Sequence, residues 1–104
     1  MREAKLVRTE TGLVPEGEGW YVVNAREARW VRHPKFGSAC TFEGDVPFEQ
    51  LGINVQVLGP GQPNCLYHRE NLQEDFLVLA GRCLLLVEGE ERQLGPWDFV
   101  HSPP

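Results

Sequence analysis

From Leu51 onward the chain alternates between hydrophobic and polar positions. In LGINVQVL (51–58), Ile53, Val55 and Val57 fall on one side and Asn54 and Gln56 on the other, a period of two that predicts a half-buried strand. GPGQPN (59–64) holds two Gly and two Pro in six residues, which predicts a turn. CLYHRE (65–70) reads as a short strand. EDFLVLAG (74–81) and RCLLLVEG (82–89) predict two further strands, with GEE (89–91) as a hairpin turn and one more short strand within ERQLGPWDFVHSPP. Alternation is lost in Phe76–Ala80 and Cys83–Val87. A strand with one wet face alternates, so these runs predict cover on both faces, by a second sheet and by a partner chain. Phe76, Leu77, Val78, Leu79, Leu84, Leu85, Leu86 and Val87 are therefore the expected core. The first third is less sharply patterned: Trp20–Asn24 predicts a strand after PEGEG, NAREARWVRH continues it or forms a short helix, and FGSACTFEGD is a strand ending in a Gly-Asp turn.

Composition agrees with many short strands. The 104 residues are the length of one small domain, and 11 Gly with 8 Pro disfavour long helices. Fifteen acidic against ten basic residues leave a net charge of −5, which argues against a nucleic-acid partner because phosphate binding needs clustered Lys and Arg. The local basic stretch of Arg26, Arg29, Arg32, His33 and Lys35 is expected to be a solvated face. No apolar leader follows Met1 and no run approaches the roughly 18 apolar residues of a membrane span. Cys40, Cys65 and Cys83 show no CxxC spacing, so buried thiols in a reducing, cytoplasmic setting are expected.

The chemistry gathers at HRENLQEDF. His68 and Glu70 are two apart on a predicted strand and share a face; Glu74 follows across a kink at Asn71-Leu72-Gln73. An imidazole with carboxylates suits Mn, Fe, Ni, Co or Zn, and a cation would offset the several kcal/mol that each buried charge costs. Spacing alone favours the plainer reading, a solvated turn. Gly59-x-Gly61-x-x-Asn64 opens no helix and carries two Pro, so it is not a dinucleotide loop. Cys65 has no Asp or Asn placed by sequence to complete a thiol catalytic set. Tyr67 points away from His68 and reads as packing. Trp20, Trp30 and Trp97 read as core or interface, and His33, beside Pro34, as a surface loop residue.

The stretch Gly61…His68-x-Glu70-x3-Glu74-x6-Gly81 resembles the first motif of the cupins: Gly, a spacer, His-x-His, three or four residues, Glu, six residues, Gly. Glu70 stands where many cupins have a second His, and the spacer before His68 is one residue longer than usual. The resemblance covers residues 51–104 most closely and extends over 1–50 through GWYVVNAREARW, which looks like the leader of a subgroup of small bacterial cupins. It implies an all-β, cupin-like double-stranded β-helix (jelly-roll) barrel in one domain over 1–104. Residues 1–50 would form N-terminal strands and loops, and 51–104 the barrel strands that carry the motif. It also implies a divalent transition metal on His68, Glu70 and Glu74, and a small polar or sugar-like ligand. An enzyme of this kind would run a metal-assisted isomerisation or dioxygenation; the alternative is a non-catalytic ligand-sensing or interaction module with a vestigial site. A sugar-phosphate isomerase would need basic residues at the mouth, where only Arg69 and Arg82 are near. In the second motif Trp97 takes the place of the first Gly, Asp98 that of the Asp and Pro103 that of the Pro. Its final Gly and His would fall beyond Pro104, so the barrel is expected to be incomplete at its C-terminal end. His101 precedes that turn and reads as a rim or core residue. A homodimer is expected, joined through sheet edges, with Trp20–Val23 adding to the partner's sheet.

Overall fold

The computed structural model describes residues 1–66, 68 and 71–104. Every regular element among them is a β-strand: β1 (Lys5–Arg8), β2 (Leu13–Glu16), β3 (Arg29–His33), β4 (Gly37–Thr41), β5 (Asn54–Val57), β6 (Glu74–Leu77), β7 (Cys83–Val87), β8 (Glu90–Leu94) and β9 (Phe99–Ser102). All pairings between these strands are antiparallel. The protein is therefore all-β, as the alternation predicts. The chain divides into two compact units, Met1–Cys65 and Leu66–Pro104.

In the first unit β1 and β2 form a ribbon, and β3-β4-β5 form a three-stranded sheet with β4 in the middle. The ribbon meets β3 through an isolated parallel bridge between Leu13 and Ala28, secured by Leu13 N–H donating to Glu27 O at 2.7 Å and Trp30 N–H donating to Thr11 O at 3.1 Å. Gly12 packs so closely on this junction that a Cβ there would collide with the Ala28 carbonyl, and Ala4, Ala28 and Cys40 are the buried hydrophobic residues among those described. Cys40 lies on the central strand β4, opposite Trp30 on β3 and Val55 on β5. The Trp30 indole donates to Ala25 O at 2.8 Å, which satisfies its one polar atom as the ring is half-buried. GPGQPN forms the expected turn, closed by Gln62 N–H to Gly59 O at 3.1 Å and Gly59 N–H to Gln62 Oε1 at 2.7 Å. In the basic stretch Arg26, Arg32, His33 and Lys35 are exposed, as a solvated face requires.

The second unit holds two ribbons, β6-β9 and β7-β8. Among the described residues none of the sheets closes into a barrel. The β7-β8 turn has positive φ at both Glu88 (48°) and Gly89 (78°), the handedness that lets a two-residue loop follow the strand twist. Gly95-Pro96-Trp97-Asp98 forms a second tight turn, with Asp98 N–H donating to Gly95 O at 3.1 Å. Proline fixes its second position, and Trp97 takes φ 71° at the third, where glycine is the usual occupant.

Several expectations change. Trp20–Asn24 is not a strand; Trp20 makes one isolated bridge to Glu3, and residues 25–27 turn into β3. Cys65, Leu66 and His68 lie outside any strand, and Tyr67, Arg69 and Glu70 lie outside the described residues. The last segment supplies two strands instead of one, because Gly95–Asp98 turns the chain between β8 and β9. The expected core of the second unit faces water: Phe76, Leu79, Leu84 and Leu86 are 41–55% exposed. A two-stranded ribbon has two faces and no layer of its own to cover either. Of the thiols only Cys40 is buried; Cys65 and Cys83 are exposed.

Trp97 holds a conformation that costs a non-glycine residue about 1–3 kcal/mol, and its side chain is 72% exposed, so little burial offsets that strain. Trp97→Gly should stabilise the protein by about 1 kcal/mol after the extra flexibility of glycine in the unfolded chain is deducted. Equilibrium urea denaturation measures this; a midpoint that falls would show that the indole makes a stabilising contact.

Candidate functional site

His68 follows the turn that ends unit one, and its imidazole is exposed. Its Nδ1 lies 2.7 Å from the carbonyl oxygen of Leu66. A carbonyl can only accept, so Nδ1 carries a proton and donates to it. Backbone carbonyls fix metal-binding histidines in the same way, by orienting the ring and choosing the nitrogen that faces the ion.

Glu74 opens β6, is half-buried and stands opposite Ser102 on β9. Glu70, the third residue of the predicted ligand set, lies outside the described residues. Among the described residues no three His, Cys, Asp or Glu side chains come together as a possible metal cluster.

His101 does not join Glu74. In the β6-β9 register Asp75 faces His101, while Glu74 faces Ser102. Neighbouring residues on a strand point to opposite faces, so Glu74 and Ser102 share one side of the ribbon and Asp75 and His101 the other. There His101 Nδ1 donates to Asp75 Oδ1 at 2.7 Å, and Gln73 Nε2 donates to Asp75 Oδ2 at 2.8 Å. Gln73 Nε2 is also 3.5 Å from His101 Nδ1. Both atoms are donors in this arrangement, so that approach is proximity, not a bond. The Gln73 hydrogen bond first, then the His101 hydrogen bond, holds the Asp75 carboxyl below its ordinary range; His101 charge and the Ser102 backbone add to this, and partial desolvation opposes it.

The Gln73–Asp75–His101 group was not legible in the sequence. His101 lies 26 residues from Asp75, and only the register of two strands that are not consecutive brings them together. What could have marked it is the polar pair Asp75 and His101, each standing in a strand that is otherwise largely apolar.

A groove of about 240 Å³ lies in the first unit, beside β2, lined by Pro15, Tyr21, Val46, Pro47 and Phe48 together with Glu18 and three glycines. Tyr21 is half-buried there and its hydroxyl donates to Phe42 O at 2.8 Å. Burial first, and the charge of Glu43 second, push the Tyr21 phenol above its ordinary pKa.

No family model, no curated protein and no solved structure matches this chain. Among the described residues no helix is long and apolar enough to cross a membrane.

Because the Asp75 pKa is depressed in the folded protein, its ionised form contributes stability that is present above the ordinary carboxylate value of 3.8 and is lost as the pH falls through the folded value. The melting-temperature gap between wild type and Asp75→Asn should therefore be open at neutral pH and should close as the buffer is taken below 3.8. Thermal melts followed by circular dichroism across that range decide it. A gap that is the same at neutral and acid pH would mean that the carboxylate charge contributes nothing.

Proposed function

We propose that this protein is a cupin-like module that binds a divalent transition metal, Mn, Fe, Ni, Co or Zn, through His68, Glu70 and Glu74. The observation that carries the reading is the hydrogen bond from His68 Nδ1 to Leu66 O, the kind of backbone contact that orients a metal-binding imidazole. The donor set fits such an ion: one imidazole nitrogen and two carboxylates suit a borderline metal with open positions. The backbone lends support to the resemblance. Gly61, Gly81 and Trp97 occupy the positions where the two cupin motifs carry glycine, and all three have positive φ, at 75°, 77° and 71°. The antiparallel ribbons are pieces from which a jelly-roll barrel could be assembled, and their open edges are where closure would occur. A bound ion would polarise an oxygen of a small polar ligand as a Lewis acid.

A second reading is a non-catalytic interaction module with a vestigial metal site. The exposed apolar strands favour it: on β7, Leu84 and Leu86 on one face and Val87 on the other are each about half exposed. In this reading a second copy of the chain covers the ribbons and joins through their edges.

Plasma mass spectrometry on purified protein should find about one transition metal per chain. His68→Ala and Glu74→Gln should each weaken metal binding by more than about 100-fold, beyond the loss seen when only an outer hydrogen-bonding partner of a ligand is removed. Folded wild-type protein that takes up no added metal would overturn the metal reading and leave the interaction module. Sedimentation velocity at micromolar concentration tests that module separately: a dimer is expected, and Leu84→Ser with Leu86→Ser should shift it to monomer. A well-folded wild-type monomer would remove the second copy.

A further inference from the structure

The groove beside β2 has apolar walls and an acidic surround. Val46 and Phe48 are 40% and 42% exposed, so two large hydrophobic side chains on this short loop stand partly in water. Pro15 and Pro47 complete the walls, and Glu18 lines the groove itself. Glu43 is near enough to Tyr21 to act on its phenol through its charge. Asp45 lines the adjoining hollow on the other side of Pro15, together with Glu16. No Lys, Arg or His lines either space, and none of these four carboxylates is ion-paired with another described residue.

The groove is also held in shape before anything binds. Gly44 packs so closely on β2 that a Cβ there would collide with the Pro15 carbonyl. Asp45 Oδ1 accepts from Gly17 N–H at 3.1 Å, which ties the 43–48 loop to the turn after β2. A site with fixed walls loses little freedom when it is filled.

We propose that this groove is a docking site for a lysine or arginine side chain presented by an extended basic segment of a partner protein. Charge complementarity carries the choice. A neutral apolar occupant would use the walls and leave the carboxylates unanswered. A free cation would use the carboxylates and leave Val46, Pro47 and Phe48 wet. A long basic side chain satisfies both, because its methylene stem lies along apolar surface while its charged head stays at the polar rim. Tyr21 and Phe48 both line the groove, so a cation held there would lie beside aromatic side chains. About 240 Å³ is below the volume of a typical drug-sized pocket, which fits one side chain better than a whole small-molecule ligand. The site is independent of the metal reading, since it uses neither His68 nor Glu74.

The test is a fluorescence-polarisation titration of the full chain with a labelled extended peptide carrying one central Arg among Gly, Ala and Ser, against the same peptide with Gln in its place. Binding should be at least about tenfold tighter for the Arg peptide and should weaken severalfold between low and high salt, as an exposed charge contact does. Phe48→Ala should weaken it through the wall, and Glu18→Gln with Glu43→Gln through the rim. All of these residues are at least partly exposed, and circular dichroism confirms the fold of each variant. Equal binding of the Gln peptide would overturn the proposal in favour of a neutral peptide groove. No binding at millimolar peptide would overturn it outright. Groove variants that change the sedimentation of the protein alone would assign the surface to a second copy of this chain and overturn it too.

Discussion

A two-stranded ribbon has two faces and two edges, and nothing in the ribbon itself covers any of them. That constraint governs the second unit. β7 is apolar on both faces, whereas its partner β8 begins with Glu90, Glu91, Arg92 and Gln93. The hairpin is well specified locally, with a tight turn and five paired positions, yet Leu84 and Leu86 stay about half exposed. Full burial of a leucine is worth about 1.5–3 kcal/mol, so each one left half in water forgoes on the order of 1 kcal/mol. Isolated ribbons of this kind are at best marginally stable. The first unit escapes the constraint by adding a third strand: β4 pairs on both edges, and its Cys40 is completely buried.

This contrast explains which parts of the fold could be read from the chain. Alternation and turn residues are local signals, and they located β4, β5, β6 and β7 and the GPGQPN turn. A hairpin after β7 was legible for the same reason, although its turn sits at Glu88-Gly89 and not at 89–91, where Glu90 and Glu91 already belong to β8. Pairing is not local. β6 runs against β9, with two other strands between them in sequence, and no periodicity within either strand encodes that partnership. Trp20–Asn24 carried a strong strand composition, but the backbone there spends its hydrogen bonds on Arg2 and Ala4 and then turns at Asn24. The loss of alternation in β7 was read as burial; in the single chain the same residues mark where cover is absent.

The site divides along the same line. That His68 could be a ligand came from the resemblance of its stretch to a metal-binding motif, since spacing alone favoured a solvated turn. The contact that orients its ring was not legible, because it is made by the backbone carbonyl of Leu66. His101 shows the reverse. Its position in the second motif suggested a rim or core residue, and the β6-β9 register instead places it against Asp75, across the ribbon from the face of Glu74. The two histidines differ in what holds Nδ1: a backbone carbonyl at His68 and the Asp75 carboxylate at His101.

The acidic balance of the chain has a local meaning beyond the exclusion of nucleic acid. The five excess negative charges are not spread evenly: Glu18 lines the groove, Glu16 and Asp45 line the adjoining hollow and Glu43 acts on Tyr21, while Arg26, Arg32 and Lys35 are exposed on and beside β3 in the same unit. Exposed like charges within a Debye length, about 8–10 Å at physiological salt, repel one another, and that repulsion lowers the stability of an isolated chain. Such a cluster becomes favourable only when a cation is brought to it. The walls of Val46, Pro47 and Phe48 determine that the cation must arrive on an apolar stem, which makes the groove selective for a side chain over a dissolved ion.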